Sequence, residues 1–64
     1  MKFRIDNMTC GGCARSVTAT IKDLDENATV TIDVATKLVD VESSASAEQL
    51  ISALTEDGFP PVIA

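Results

Sequence analysis

The chain has no histidine, tyrosine or tryptophan, and only two phenylalanines among its 64 residues. Without histidine it lacks the side chain that most often serves as a general base near neutral pH. The rings that usually stack on nucleobases or ligands are missing as well. Basic residues are scarce: five Lys or Arg stand against ten Asp or Glu, for a net charge of −5. A phosphate backbone is held by clustered Lys and Arg, so this composition argues against nucleic acid as a partner. Apolar runs last only a few residues, far short of the ~20 that span a bilayer. No basic segment leads into an apolar one, as an export signal would require. These absences predict a cytoplasmic protein without membrane insertion. With two prolines, three glycines and two cysteines in all, each of these residues marks a position.

What remains is an acidic, globular composition with 45% hydrophobic residues. Sixty-four residues form at most one domain, here residues 1–64. A domain of this size buries only about 60% of the surface of its unfolded chain, and its net stability amounts to a few kcal/mol.

Lys2-Phe3-Arg4-Ile5-Asp6 alternates charged and apolar side chains, which predicts a strand with Phe3 and Ile5 on one face. Asn7 to Gly12 breaks that period with turn-prone residues and reads as a flexible loop. From Cys13 the period changes: Cys13, Val17, Ile21 and Leu24 form the apolar stripe of an amphipathic helix. Ala28, Val30, Ile32 and Val34 alternate with polar residues in a second strand, rich in β-branched side chains. Ala35-Thr36-Lys37 is a hairpin-length turn into a third strand, Leu38 to Glu42, with Val39 and Val41 inward. Ser46 and Gln49 have capping-box spacing and open a second helix whose buried stripe is Leu50, Ile51 and Leu54. Gly58 stands where a left-handed cap residue belongs, and Pro60-Pro61 forbid continuation. Phe59 to Ile63 forms a fourth strand, confined to a sheet edge by its prolines.

The order is βαββαβ. It predicts an α+β, ferredoxin-like sandwich: an antiparallel four-stranded sheet with both helices on one face. In that arrangement the second and fourth strands lie at the edges. The first and third are expected side by side and parallel, with right-handed crossovers.

The one chemically distinctive constellation is Cys10-Gly11-Gly12-Cys13, between a strand and the start of a helix. A disulfide here would close a four-residue loop, and loop entropy rewards long loops, so a purely structural bridge explains little. Under reducing conditions the spacing points to a metal site or a catalytic redox pair. A helix N-terminus lowers the pKa of nearby thiols and stabilises thiolate ligands. Gly11 and Gly12 add no side-chain bulk and allow the sulfur separation to adjust. Two thiolates around a monovalent d10 ion form a complex of charge −1, which the helix end partly compensates. Soft thiolates select Cu(I). Zinc would want four tetrahedral ligands, which this chain does not supply.

Met8-Thr9-Cys10-Gly11-Gly12-Cys13, on the first loop of a βαββαβ chain of this length, resembles the heavy-metal-associated domain family. Within that family the resemblance is to the small bacterial copper chaperones, and it covers essentially the whole chain. It implies that Cys10 and Cys13 bind Cu(I) and deliver it to the metal-binding domain of a copper-transporting P-type ATPase. Related domains also occur as N-terminal modules of such pumps, so carrier and regulatory module share one pattern. Two departures stand out. Asn7 replaces a frequent Gly, and Asn tolerates left-handed backbone angles. Thr9 stands where zinc- and cadmium-exporting relatives carry Asp, which favours Cu(I). Silver is equally soft and monovalent and should bind too.

Around the pair, Met8 is expected to point inward as a flexible core filler rather than to ligate. Thr9, Gly11 and Gly12 complete the loop. Phe59 either packs in the core or screens the metal loop from water. Glu48, Glu56 and Asp57 against Arg15 and Lys22 read as solvated surface, or as a docking face of mixed sign. The protein is thus expected to be a binding protein with no catalytic residues, monomeric without metal and able to pair through shared copper. The rival reading is a thiol-disulfide oxidoreductase. Against it stand the short chain and Thr9, where an aromatic commonly precedes the first Cys.

Overall fold

Six elements follow one another in a computed structural model that describes residues 1–9 and 11–64. They are β1 (Lys2–Arg4), α1 (Gly11–Leu24), β2 (Thr29–Asp33), β3 (Leu38–Glu42), α2 (Ala47–Glu56) and β4 (Val62–Ile63). The strands form one antiparallel sheet in the order β2-β3-β1-β4, with β2 and β4 at the edges.

Phe3 lies opposite Val39, and Val30 opposite Val41. Side chains directly opposite in antiparallel strands share a face, and this one receives both helices. Phe3, Ile5, Val39 and Val41 are buried there with Val17 and Ile21 of α1, Leu50 and Leu54 of α2, and Met8 and Ala28 from the connections. Lys2, Arg4, Thr29, Thr31, Asp33, Asp40 and Glu42 project from the other face into solvent. The ferredoxin-like sandwich is therefore present.

The direction of one pair differs from the expectation. β1 and β3 run antiparallel, not parallel. β1 and β2 are joined through a helix and run the same way, leaving a gap between them. The β2–β3 hairpin folds back into that gap, so β3 opposes both neighbours. Asp33 fixes the hairpin: its carboxylate accepts the backbone N–H of Ala35 (3.0 Å) and of Thr36 (3.4 Å), and Lys37 takes the left-handed φ of 63° that closes it.

Element ends differ too. α1 begins at Gly11, two residues before the apolar period starts, because a first helical turn needs no apolar side chain and a Gly-Gly pair carries no pattern. Leu24, the last residue of α1, is 40% exposed and stands outside the buried stripe expected for it. β1 stops at Arg4, and the Ile5 N–H extends the β1–β3 register by one more bond, to the Lys37 carbonyl 2.9 Å away. β4 is reduced to Val62–Ile63 because Pro60 and Pro61 have no N–H to donate.

Both ends of α2 are capped as the sequence predicts. The Ser46 hydroxyl accepts the Gln49 N–H (3.1 Å), and the Gln49 side chain accepts the Ser46 N–H (3.0 Å). At the other end Gly58 has φ 92°, its N–H reaches the Thr55 carbonyl and the Phe59 N–H reaches the Leu54 carbonyl (2.8 Å). That pair of bonds is the Schellman cap, and it brings Phe59 against the core.

Candidate metal centre

Cys13 stands in the first turn of α1, half-buried and packed against the core. The first four N–H groups of a helix have no partner within it, and they concentrate its partial positive charge. No acidic side chain occupies the first turn of α1, whereas α2 carries Glu48 there. The field at this end is thus left for a thiolate, which it stabilises against the thiol. Cys10 lies outside the described residues.

The segment leading to residue 10 is held on three sides. Ile5 and Met8 are completely buried, and the Met8 N–H closes a tight turn on the Ile5 carbonyl at 3.1 Å. From the β2–β3 hairpin, the Lys37 ammonium donates to the Asp6 carbonyl at 2.9 Å. From the end of α2, the Gly58 carbonyl accepts the Asn7 side-chain amide at 2.6 Å. Arg4 pairs with the Asp6 carboxylate in solvent (3.0 Å), an exposed contact worth little to stability.

The residues singled out in the sequence therefore gather at one end of the molecule. Met8 has its thioether in the core, Thr9 is exposed, Gly11 and Gly12 are exposed in the first turn of α1, and Phe59 is half-buried on the neighbouring loop. Asn7 does not take the left-handed conformation expected of a glycine substitute, since Lys37 alone among the described non-glycine residues has positive φ. Its amide is used instead. Sequence reasoning missed Lys37 and the bond from Asn7 to Gly58, because their partners lie 31 and 51 positions away. A long donor in the hairpin and an amide beside the Met were the available signals.

The charges considered as a docking face do not pair across the helices. Asp57 instead accepts the Thr20 hydroxyl at 2.8 Å, and the ion pairs of the described residues are Arg4 with Asp6 and the N-terminal ammonium with Asp40. Among the described residues no three His, Cys, Asp or Glu side chains converge on one point.

Residues 2–60 match the heavy-metal-associated domain. The chain belongs to that family. Over 57 residues it is 37% identical to the copper transport protein ATOX1 homolog of Dictyostelium discoideum, covering 88% of this chain and 84% of that protein. Its fold superposes on the crystal structure of a gold-binding protein with a TM-score of 0.93 at 64% identity, over 95% of this chain and 94% of the other. The copper chaperone Atx1 of Synechocystis aligns with a TM-score of 0.94 at 29% identity, over 97% of this chain and 98% of that one. This heavy-metal-associated domain is thus related to metal chaperones and not to an enzyme family. None of its described helices is long and apolar enough to cross a membrane.

Proposed function

We propose that this heavy-metal-associated domain, residues 1–64, is a cytoplasmic carrier that holds one Cu(I) between the thiolates of Cys10 and Cys13. The cargo passes by ligand exchange to the metal-binding domain of a copper-transporting P-type ATPase. The observation that carries this reading is the position of Cys13 in a first helical turn free of carboxylates. There the N–H groups and the helix dipole offset the negative charge of a bis-thiolate Cu(I) complex without a third protein ligand. Soft thiolates at low coordination number suit Cu(I), whereas zinc requires a fuller tetrahedral shell.

Transfer then needs no redox change. An incoming thiolate of the partner adds to the ion, a three-coordinate intermediate bridges the two proteins, and a thiolate of this chain leaves. Each sulfur that departs carries the charge of the one that arrived. The same cysteine pair on two copies supplies four thiolates, enough for a copper-bridged dimer, while the metal-free chain is a monomer. Met8 supports the loop from the core, Thr9, Gly11 and Gly12 shape it, and Phe59 screens it from water.

One observation favours a second cargo of the same chemical class. The gold-binding relative is the 64% identical one, and Au(I) is, like Cu(I), a soft monovalent d10 ion that two thiolates hold.

An anaerobic titration of the reduced protein against a chromophoric Cu(I) competitor tests the reading, with Au(I) and Zn(II) in parallel. One Cu(I) per chain, bound far more tightly than zinc and weakened by orders of magnitude in Cys10→Ala and Cys13→Ala, is expected. Tight one-to-one binding retained by both variants would refute it. A preference for Au(I) over Cu(I) in the parallel arm would make gold the cargo.

A further inference from the structure

Asn7 is exposed, yet its side chain makes a 2.6 Å hydrogen bond across the molecule to the Gly58 carbonyl. A carbonyl oxygen only accepts, so the amide nitrogen of Asn7 is the atom that faces it. Gly58 offers this oxygen because its left-handed backbone, φ 92°, turns its carbonyl out of the direction of α2. Its own N–H and that of Phe59 stay bound to the Thr55 and Leu54 carbonyls. Asn7 itself belongs to the tight turn closed by the Met8 N–H on the Ile5 carbonyl, one residue before the buried Met8 and three before Cys10. A single amide thus joins the turn that feeds the cysteine loop to the cap that positions Phe59.

We propose that Asn7 is a positioning residue for the metal loop: by tying that turn to the cap of α2 it makes the cysteine loop and the Phe59 loop one clamped unit and slows metal release. The effect on release rests on the metal-carrier reading; the clamp does not. Ligand exchange requires the loop to yield as an incoming thiolate adds, and every bond that must stretch for this raises the barrier. A net hydrogen bond corresponds to a factor of about 2 to 12.

Thr20→Ala is the control. Its hydroxyl donates to the Asp57 carboxylate at 2.8 Å, so this variant also loosens the end of α2 but leaves the turn at Asn7 untouched. Two quantities are compared in wild type, Asn7→Ala, Asn7→Asp (which keeps the shape but loses the donor) and Thr20→Ala. One is amide hydrogen exchange of the metal-free protein at Met8 and Phe59; the other is the rate at which Cu(I) passes to an excess of a chromophoric chelator. Both Asn7 variants should speed the Met8 amide and Cu(I) release by about 2- to 12-fold. Thr20→Ala should leave both at the wild-type values, whatever it does to Phe59. Equal effects of the Asn7 and Thr20 changes would reduce the role of Asn7 to general stability and overturn the proposal, as would unchanged Met8 exchange in the Asn7 variants. Should the wild-type protein not retain Cu(I), the carrier reading falls, and Met8 exchange still decides the clamp.

Discussion

Of the glycines near the metal loop, Gly58 and Gly11 answer opposite demands of the backbone. Gly58 has φ 92°, in the left-handed region where a Cβ costs roughly 1–2 kcal/mol. Gly11 lies in α1, and a Cβ built on it meets nothing within 4 Å. Gly58→Ala should therefore lower stability by roughly 1–2 kcal/mol, whereas Gly11→Ala should raise it by about 0.4–1 kcal/mol through the entropy of the unfolded chain. Urea midpoints of the two variants must move in opposite directions; a shift of the same sign would contradict the backbone assignment. The cap at Gly58 was readable because the apolar stripe ends just before it and two prolines follow. The helical state of Gly11 was not, since a Gly-Gly pair looks the same in a loop and in a first turn. Nor was the work of Asn7, whose partner is 51 residues away and leaves no local trace.

At the scale of elements, the strands were legible from their two-residue alternation, and the hairpin and both caps of α2 because each rests on contacts within a few residues. Strand direction was harder to read. It depends on which strand fills the gap between β1 and β2, and no single segment encodes that. A second long-range device escaped the sequence as well. The Asp25 carboxylate, just past α1, accepts the Ser43 hydroxyl at 2.7 Å, the Asn27 N–H at 3.1 Å and the Ser44 N–H at 3.2 Å, joining the end of α1 to the linker before α2. The Ser43 hydroxyl first, then those two N–H groups, hold its pKa below the ordinary aspartate range. A carboxyl depressed in the folded state binds fewer protons there than in the unfolded chain. Its contribution to stability is therefore present above the ordinary range and is lost as pH falls through the folded value. Thermal melts of wild type and Asp25→Asn should converge as pH drops below about 4, because only the wild type loses this contribution. A constant difference between them down to low pH would show that the Ser43 and Ser44 contacts do not act through the charge.

For the whole molecule, membership in the heavy-metal-associated family gives the fold a purpose that physical reading alone approached from one side. Composition argued against histidine chemistry, nucleic acid and long apolar helices, and the sequence kept a Cys-x-x-Cys pair ahead of a helical pattern. The fold then brings three loops to that end of the sheet: the cysteine loop, the hairpin with Lys37 and the cap with Gly58 and Phe59. With so small a core, bound metal should also stabilise the fold by mass action, in proportion to the logarithm of free metal over Kd. The measurement that bears most directly on the carrier account is the X-ray absorption spectrum at the copper edge of the monomeric, anaerobically loaded protein. The account predicts a shell of two sulfurs with no nitrogen or oxygen scatterer, lost in both Cys10→Ser and Cys13→Ser. A shell containing nitrogen or oxygen, or a two-sulfur shell that survives in Cys13→Ser, would contradict it.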